Sequence, residues 1–270
     1  MPIQSVILLE KAYGPNKNAA IKAFKHIILR LLKDLNVKIL KLERAEKNWI
    51  KVVLNGEDAE AAKNYLAKEF YTTTLINQLK KGDIIKGKLV DVEEYGYGVY
   101  VDIGIIDPHP KDALIPLYIL RRQLAKGHIV STRQIVKKYA FMNNLPLEVK
   151  IRDIDESLGT IEAELSESQV KKYKKWIKQE VDRILVCGAT RQMIRKAIIR
   201  SGHLRDILNI ERLGLLEHAV VCKPGTTAQG LIAEIGKYLP KIPMKAFKAK
   251  EIKKWLKELD MLKEPTVKVR

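Results

Sequence analysis

Cysteine is scarce in this chain of 270 residues, which contains only Cys187 and Cys222. The two residues lie far apart and lack the spacing of metal ligands, so the sequence indicates neither a disulfide framework nor a zinc finger. We expect both side chains to be buried and to behave as small hydrophobic groups.

Long apolar runs are also missing. No segment approaches the roughly 18 consecutive apolar residues of a membrane-spanning helix. The first residues, Met1-Pro2-Ile3-Gln4, do not form a basic segment followed by an apolar stretch, as a signal peptide would. We therefore expect a cytoplasmic protein with no membrane partner.

Groups of catalytic or metal-binding side chains are a third absence. The five histidines occur singly, without a cysteine or carboxylate at ligand spacing. We therefore expect no catalysis, no cofactor, no bound metal and no small-molecule substrate. Asp102, Asp107 and Asp112 lie near each other and could hold Mg²⁺, but solvated carboxylates of an acidic turn are the simpler interpretation.

Positive charge is abundant: the net charge is +18 and the isoelectric point is near 9.7. Such an excess favours a polyanionic partner, because each neutralised phosphate releases condensed counterions. The excess is unevenly spread, with +6 in residues 1–80, −1 in residues 81–165 and +13 in residues 166–270. Nucleic acid is the expected partner, and the C-terminal part is the strongest electrostatic candidate to bind it.

Residues 1–80 are predicted to form a small α+β domain. Residues 3–12 favour a strand, Asn18 is placed to cap a helix that runs to about Leu35, and residues 37–42 and 49–54 favour two further strands. A helix over residues 57–70 completes the order βαββα. We expect Trp49 to lie in the core of this domain.

Residues 81–166 are predicted to form an all-β barrel, because short strands alternate with glycine and acidic turns. Gly82-Asp83-Ile84-Ile85-Lys86-Gly87 opens the first strand, and Tyr95-Gly96-Tyr97-Gly98 precedes Val101-Asp102-Ile103. These segments, together with Ala113-Leu114-Ile115-Pro116 and the closing Ala163-Glu164-Leu165-Ser166, resemble the OB-fold of the ribosomal-protein-S-one type. The resemblance implies RNA binding, and an extra glycine among the tyrosines suggests a bulge there.

An insertion, residues 117–145, interrupts this barrel. It carries six basic residues and no acidic one, and it is longer than a bare loop in a compact domain should be. The positive charge of the barrel region is therefore concentrated in the insertion.

Residues 167–240 are predicted to form a basic C-terminal domain. A helix over residues 167–186, a second helix capped by Thr190 and stopped by Gly202, and a hairpin turning at Gly214 give the order of a winged helix. The apolar run Ile184-Leu185-Val186-Cys187 would equally suit a strand. Residues 241–270 form a Lys-rich helix and tail, in which we expect Trp255 to anchor the helix to the protein body.

The loop Cys222-Lys223-Pro224-Gly225-Thr226-Thr227 precedes a predicted helix. A helix N-terminus with Lys223 beside it could bind an RNA phosphate, although helix capping alone also explains these residues.

Over its whole length the chain resembles an archaeal family known as domain of unknown function number 2110. Trp49 to Leu66 and the segment Glu211-Arg212-Leu213-Gly214-Leu215-Leu216 carry this resemblance, which implies no established activity.

The sequence thus predicts an α+β multidomain, non-catalytic RNA-binding factor that contacts structured RNA, expected to be ribosomal, and also ribosomal proteins. The alternatives are a protein-interaction adaptor of transcription or RNA decay, and an RNA-acting enzyme. Barrel tyrosines would stack on bases while basic side chains contact phosphates. The candidate RNA-binding residues are Lys86, Lys88, Tyr95, Tyr97, Tyr100, Arg121, Arg122, Arg133, Lys137, Lys138, Lys171, Lys175, Arg191, Arg195, Lys196, Arg200 and Lys223.

Overall fold

A computed structural model describes residues 2–107, 109–155 and 159–261, and these residues fold around three β-sheets. Residues 262–270, the end of the predicted tail, lie outside the described residues. The fold is α+β, as predicted, with a closed barrel between two smaller sheets along the chain. Among the described residues, no helix combines the length and apolarity needed to cross a membrane.

The first sheet contains the N-terminal elements in the predicted order βαββα. These are β1 (Ile3–Lys11), α1 (Lys17–Leu31), β2 (Val37–Arg44), β3 (Trp49–Gly56) and α2 (Ala59–Phe70). β3 lies in the centre and pairs antiparallel with both neighbours. Both helices bury apolar side chains, such as Phe24 and Leu66, with the strand residues Ile50, Val52 and Leu54. Asn16 and not Asn18 is the N-cap of α1.

The central barrel has the strand order of an OB-like fold. Its strands are β4 (Ile84–Val90), β5 (Gly98–Ile105), β6 (Lys111–Pro116), β7 (Pro146–Asp155) and β8 (Thr160–Leu165). The closed order is β4-β5-β6-β8-β7, with the one parallel pairing among the described strands between β6 and β8. Around the barrel the strands therefore follow the order first, second, third, fifth and fourth, which is the order of the five-stranded Greek-key barrel of an OB-fold. Side chains such as Leu89, Val99 and Val101 fill its core.

The insertion in the barrel is folded. It forms α3 (Leu117–Leu124) and α4 (Thr132–Lys138), and α4 begins with a capping box in which the side chains of Ser131 and Gln134 bond each other's backbone N–H groups. Ile119, Leu120 and Ile135 are buried in the same apolar cluster as the barrel core. The insertion is therefore an integral layer of the central domain.

The predicted helix over residues 167–186 is wrong. α5 (Glu167–Gln179) ends where Glu180 adopts a left-handed conformation with φ of 53°, and the apolar run that follows is a strand, β9. The winged-helix order is lost with it. The remaining elements are β9 (Arg183–Cys187), α6 (Arg191–Arg200), β10 (Ile207–Arg212), β11 (Glu217–Cys222), α7 (Ala228–Gly236), β12 (Met244–Phe247) and α8 (Ala249–Met261).

These C-terminal strands form an antiparallel sheet with the order β10-β11-β9-β12. Ile184 and Val186 of β9 pack under α6 and α7, whereas Leu185 and Cys187 belong to the cluster that contains the barrel core. The sheet therefore lies between two helices and the barrel. Both cysteines are buried and free, and Trp255 of α8 is buried against the protein body, as expected.

Candidate nucleic-acid interface

The outward face of α6 carries a group of positive charges that have no acidic partner among the described residues. Thr190 caps the helix by accepting a hydrogen bond from the Met193 N–H, and Ile194, Ala197 and Ile198 bury the opposite face against the sheet. The side chains on the outward face are exposed and form no ion pair with a described acid; they are Arg191, Arg195, Lys196 and Arg200. We call these four residues the α6 face.

The cations of the insertion are mostly engaged by the protein itself. The Arg121 Nε–H donates to the Val130 carbonyl at 2.8 Å, and Arg122 forms an ion pair with Glu164 at 2.7 Å. Lys126 pairs with Asp260 of α8. Lys138 lies over the Trp255 ring, with its Nζ 5.9 Å from the ring centroid.

Arg133 and Lys137 are exposed instead and line a cleft beside α4. In α5, Lys171 and Lys175 are exposed, and Lys171 pairs with Glu167 at 3.5 Å. Only part of the predicted positive charge is thus available to a ligand.

The predicted phosphate site at the start of α7 is occupied by an acidic side chain. Asp182 accepts a hydrogen bond from the Ala228 N–H at 3.2 Å, whereas Thr227, the N-cap residue, makes no side-chain cap. A carboxylate at this position satisfies the helix N-terminus and repels a phosphate. The Asp182 carboxylate counts against an anion site at this helix N-terminus, whereas Lys223 itself is exposed and stays a predicted contact.

The three tyrosines of the barrel form one cluster. The ring centroid of Tyr95 lies 5.5 Å from that of Tyr97 and 5.1 Å from that of Tyr100, and the Tyr97 and Tyr100 hydroxyls are 3.0 Å apart. The hydrogen bond to Tyr97, with a contribution from burial, raises the pKa of Tyr100 to about 12. Tyr97 remains 53% exposed, so the cluster offers an aromatic surface on which a base can stack.

Strict alternation along one strand would turn Tyr100 away from Tyr95 and Tyr97, but the structure brings the three rings together. β5 starts only at Gly98, so Tyr95 and Tyr97 lie in the preceding loop. The irregular register of β5 falls between Asp102 and Ile105 and not among the tyrosines. Gly98 instead allows close strand approach, because a Cβ there would lie 2.4 Å from the Ile115 carbonyl oxygen.

The insertion holds in place the loop between β4 and β5, residues 91–97, which we call the tyrosine loop. The Thr132 hydroxyl donates to the Gly96 carbonyl at 2.5 Å, and the Asn143 side chain accepts from the Val92 N–H at 3.1 Å. Both contacts join the loop to residues at or near the ends of α4. The insertion therefore positions the aromatic cluster.

Family models match most of the chain in three consecutive pieces. They are the DUF2110 N-terminal domain over residues 5–75, the DUF2110 central domain over residues 79–177 and the DUF2110 C-terminal domain over residues 181–244. This chain belongs to the DUF2110 family. A search of curated proteins gives no match to this DUF2110 chain.

Solved structures resemble parts of the DUF2110 chain. A chain from the a/eIF2alpha–aDim2p–rRNA complex of Pyrococcus horikoshii is 14% identical over 48% of this chain and 70% of that one, with a TM-score of 0.26. An uncharacterized protein of Methanocaldococcus jannaschii is 12% identical over 33% and 95%, with a TM-score of 0.23. A protein of vaccinia virus, Wisconsin strain, is 20% identical over 33% and 89%, with a TM-score of 0.22. These likenesses carry no information about function.

Lys88, predicted to contact RNA, is buried at the meeting point of all three parts of the DUF2110 chain. Its Nζ lies 2.7 Å from Glu217 Oε2 on β11 and 3.4 Å from Glu10 Oε2 on β1. The side chain is 2% exposed, so it cannot reach a ligand and the prediction is wrong. We call Glu10, Lys88 and Glu217 the junction.

Burial and ion pairing oppose each other at the junction. It disfavours the Lys88 ammonium, but Glu217 and Glu10 outweigh it, so the pKa of Lys88 is raised above its usual value. For Glu217, burial prevails over the attraction of Lys88 and raises the pKa. Tyr13 adds a hydrogen bond from its hydroxyl to Glu217 Oε1 at 2.8 Å.

A second set of ion pairs fastens the N-terminal domain to the barrel. Lys11 lies 2.7 Å from Asp102, and Lys47 lies 2.8 Å from Asp112. Burial lowers the pKa of Lys11, and the Asp102 carboxylate offsets part of that effect. These pairs account for two of the three aspartates considered as Mg²⁺ ligands.

The sequence contains a signal for the junction. Lys88 comes directly before the apolar pair Leu89-Val90, Asp102 lies in the mostly apolar strand β5, and Glu217 begins the buried strand β11. Charged residues at inward positions are rarely buried unless paired. Lys86, two positions before Lys88, is only half-buried and remains a candidate contact.

Proposed function

We propose that this protein is a non-catalytic RNA-binding factor that holds folded RNA by its phosphates, chiefly through the α6 face. The observation that carries this proposal is the exposure of Arg191, Arg195, Lys196 and Arg200 without an acidic partner among the described residues. Unpaired arginines are well suited to phosphate, because the planar guanidinium offers several donors in a fixed geometry.

The tyrosine cluster supplies a second contact of different chemistry. Stacking on an exposed ring tolerates any base, and it requires an unpaired nucleotide. A ligand that reaches both surfaces would combine folded RNA with an unpaired segment. RNA of the translation apparatus fits this description, and the resemblance of the barrel to the ribosomal-protein-S-one type favours it.

Charge reversal on α6 tests the proposal. The triple substitution Arg191→Glu, Arg195→Glu and Arg200→Glu should weaken binding of purified ribosomal RNA in a gel-shift titration more than Tyr97→Ala does. The slope of log affinity against log salt should also become shallower by about 2.7, at roughly 0.9 per lost phosphate contact.

The matched control is Lys250→Glu, Lys254→Glu and Lys257→Glu on α8, which makes the same change in net charge. These lysines are also exposed. Equal weakening by the two triple variants, or an affinity that does not change between about 50 and 500 mM salt, would overturn the proposal, since phosphate contacts must depend on salt. Crosslinking in cells and sequencing of the bound RNA would identify the ligand.

A further inference from the structure

A cleft of about 970 Å³ separates α4 and the tyrosine loop from the C-terminal sheet. This volume is at the upper end of the range for ligand sites, roughly 300–1,000 Å³. Arg133 and Lys137 line one wall, and β12, α7 and the first turn of α8 line the other. The cleft does not include the α6 face.

The edge of β12 forms part of the cleft. β12 is the last strand in the order β10-β11-β9-β12 and pairs with β9 on its inner side. Three consecutive residues, Met244, Lys245 and Ala246, line the cleft. Because successive side chains point to opposite faces of a sheet, a cleft that reaches all three must run along the strand edge. The backbone groups on that edge have no strand partner among the described residues.

The walls of the cleft are half apolar and carry a surplus of positive charge. Val136, Ile232 and Ile252 contribute apolar surface. Two of the lining acids are neutralised, since Glu93 accepts from Lys245 at 2.7 Å and Glu251 accepts from Lys248 at 3.0 Å.

Of the remaining lining charges, one is negative and three are positive. Glu94 has no ion-pair partner among the described residues, and neither do Arg133 and Lys137, while Lys138 rests on the Trp255 ring. The cleft therefore attracts negative charge, more weakly than the α6 face does.

We propose that this cleft binds an extended peptide of a partner protein, which adds to β12 as a fifth strand. Main-chain hydrogen bonds to the β12 edge would provide affinity, and alternating side chains would provide selectivity. Acidic side chains would face Arg133 and Lys137, and apolar ones would face Val136, Ile232 and Met244.

The same cleft is poorly suited to RNA. Apolar side chains form much of its lining, and a phosphate backbone does not complement them. Neighbouring strands of a sheet lie roughly 4.8 Å apart. A peptide backbone fits this spacing beside β12, and a nucleotide chain does not. The inference is independent of the α6 face, which the cleft does not include, although Tyr95 of the tyrosine cluster also lines the cleft.

Selection from a random peptide library tests this site. Phage-displayed peptides of about twelve residues, enough for the usual strand of roughly five to six residues with flanks, would be selected on the full chain. Counter-selection would use the Arg133→Glu, Lys137→Glu variant. Enriched sequences should alternate acidic with apolar residues. A synthetic copy should bind the wild-type chain at least roughly tenfold more tightly than the variant, as expected for removal of close charge pairs.

Two further measurements locate the bound peptide. Hydrogen exchange of the β12 amides should slow when the peptide is added, and a variant with Arg195→Glu and Arg200→Glu on α6 should bind the peptide as the wild type does. Thermal unfolding of both variants would confirm that they remain folded.

The proposal would be overturned if no peptide is enriched, if the enriched peptides bind the Arg133→Glu, Lys137→Glu variant equally well, or if they protect a strand other than β12. Displacement of the peptide by an oligouridylate that itself protects β12 would assign the cleft to RNA and also overturn it. Loss of RNA binding by the α6 variant alone would leave the peptide site intact.

Discussion

Lysine and arginine side chains have opposite surroundings in two regions of this molecule. At the junction, Lys88 is enclosed and has two carboxylates within 3.4 Å. On the α6 face, four cations are exposed and have no acidic partner among the described residues. An excess of positive charge therefore indicates a binding surface only after the paired and buried cations are set aside.

The two regions should respond differently to loss of one charge. Lys88→Met leaves Glu10 and Glu217 buried without their cation, which should lower the free energy of unfolding by about 3–5 kcal/mol. Lys196→Met on α6 should change it by no more than about 0.5 kcal/mol. Urea titrations followed by circular dichroism measure both values.

A triple variant provides the control for this prediction. Adding Glu10→Gln and Glu217→Gln to Lys88→Met removes the unpaired charges, and it should recover part of the lost stability. If Lys88→Met proves as mild as Lys196→Met, the junction does not hold the three parts of the chain together.

Gly214→Ala should perturb the junction sterically without changing its charge. A Cβ at Gly214 would lie 2.1 Å from Glu217 Oε2 and 3.3 Å from Glu10 Oε2. The carboxylate must move away from Lys88 to make room, so we expect a loss of about 1–3 kcal/mol, typical of overpacking in a core. Gly96→Ala is the control in the same urea assay, because a Cβ at Gly96 would meet open space and the residue has no positive φ. Gly225→Ala would also have space, but the φ of 88° at Gly225 would add backbone strain.

The sequence predicted the features that depend on residues close together in the chain. The helical spacing of Ile194, Ala197 and Ile198 is enough to indicate which side of α6 faces outward, because that pattern depends on one helix and one neighbour. The barrel strands and the order βαββα were predictable for the same reason. Domain boundaries stay predictions.

The predictions for Lys88 and for the end of α5 were wrong. Lys86 and Lys88 share a strand face, yet only Lys88 meets the carboxylates of β1 and β11, which are remote in sequence. The end of α5 carried no glycine, since Glu180 adopts the left-handed conformation itself, so periodicity alone extended the helix into β9. Local patterns left helix and strand open for residues 184–187, and they could not identify the carboxylates that pair with Lys88.

Alkaline pH should remove the contribution of the junction gradually. The pKa of Lys88 is raised in the folded protein, so its stabilisation is fully present below the unfolded pKa of about 10.4 and is lost as pH rises toward the folded value. The stability difference between wild type and Lys88→Met should shrink by up to about 1.4 kcal/mol per pH unit above that point. Urea midpoints of the two proteins at several alkaline pH values give the difference, and a constant gap would contradict the raised pKa.

The smallest expected effect concerns a single cation of the α6 face. Lys196→Met should leave the urea midpoint nearly unchanged and should reduce the slope of log RNA affinity against log salt by about 0.9, the value for one phosphate contact. Lys88→Met, in the fraction that remains folded, should leave that slope unaltered, because Lys88 contacts only protein carboxylates. A slope that changed with Lys88 and not with Lys196 would reverse the roles assigned to the two regions, since counterion release requires a cation that reaches the phosphate.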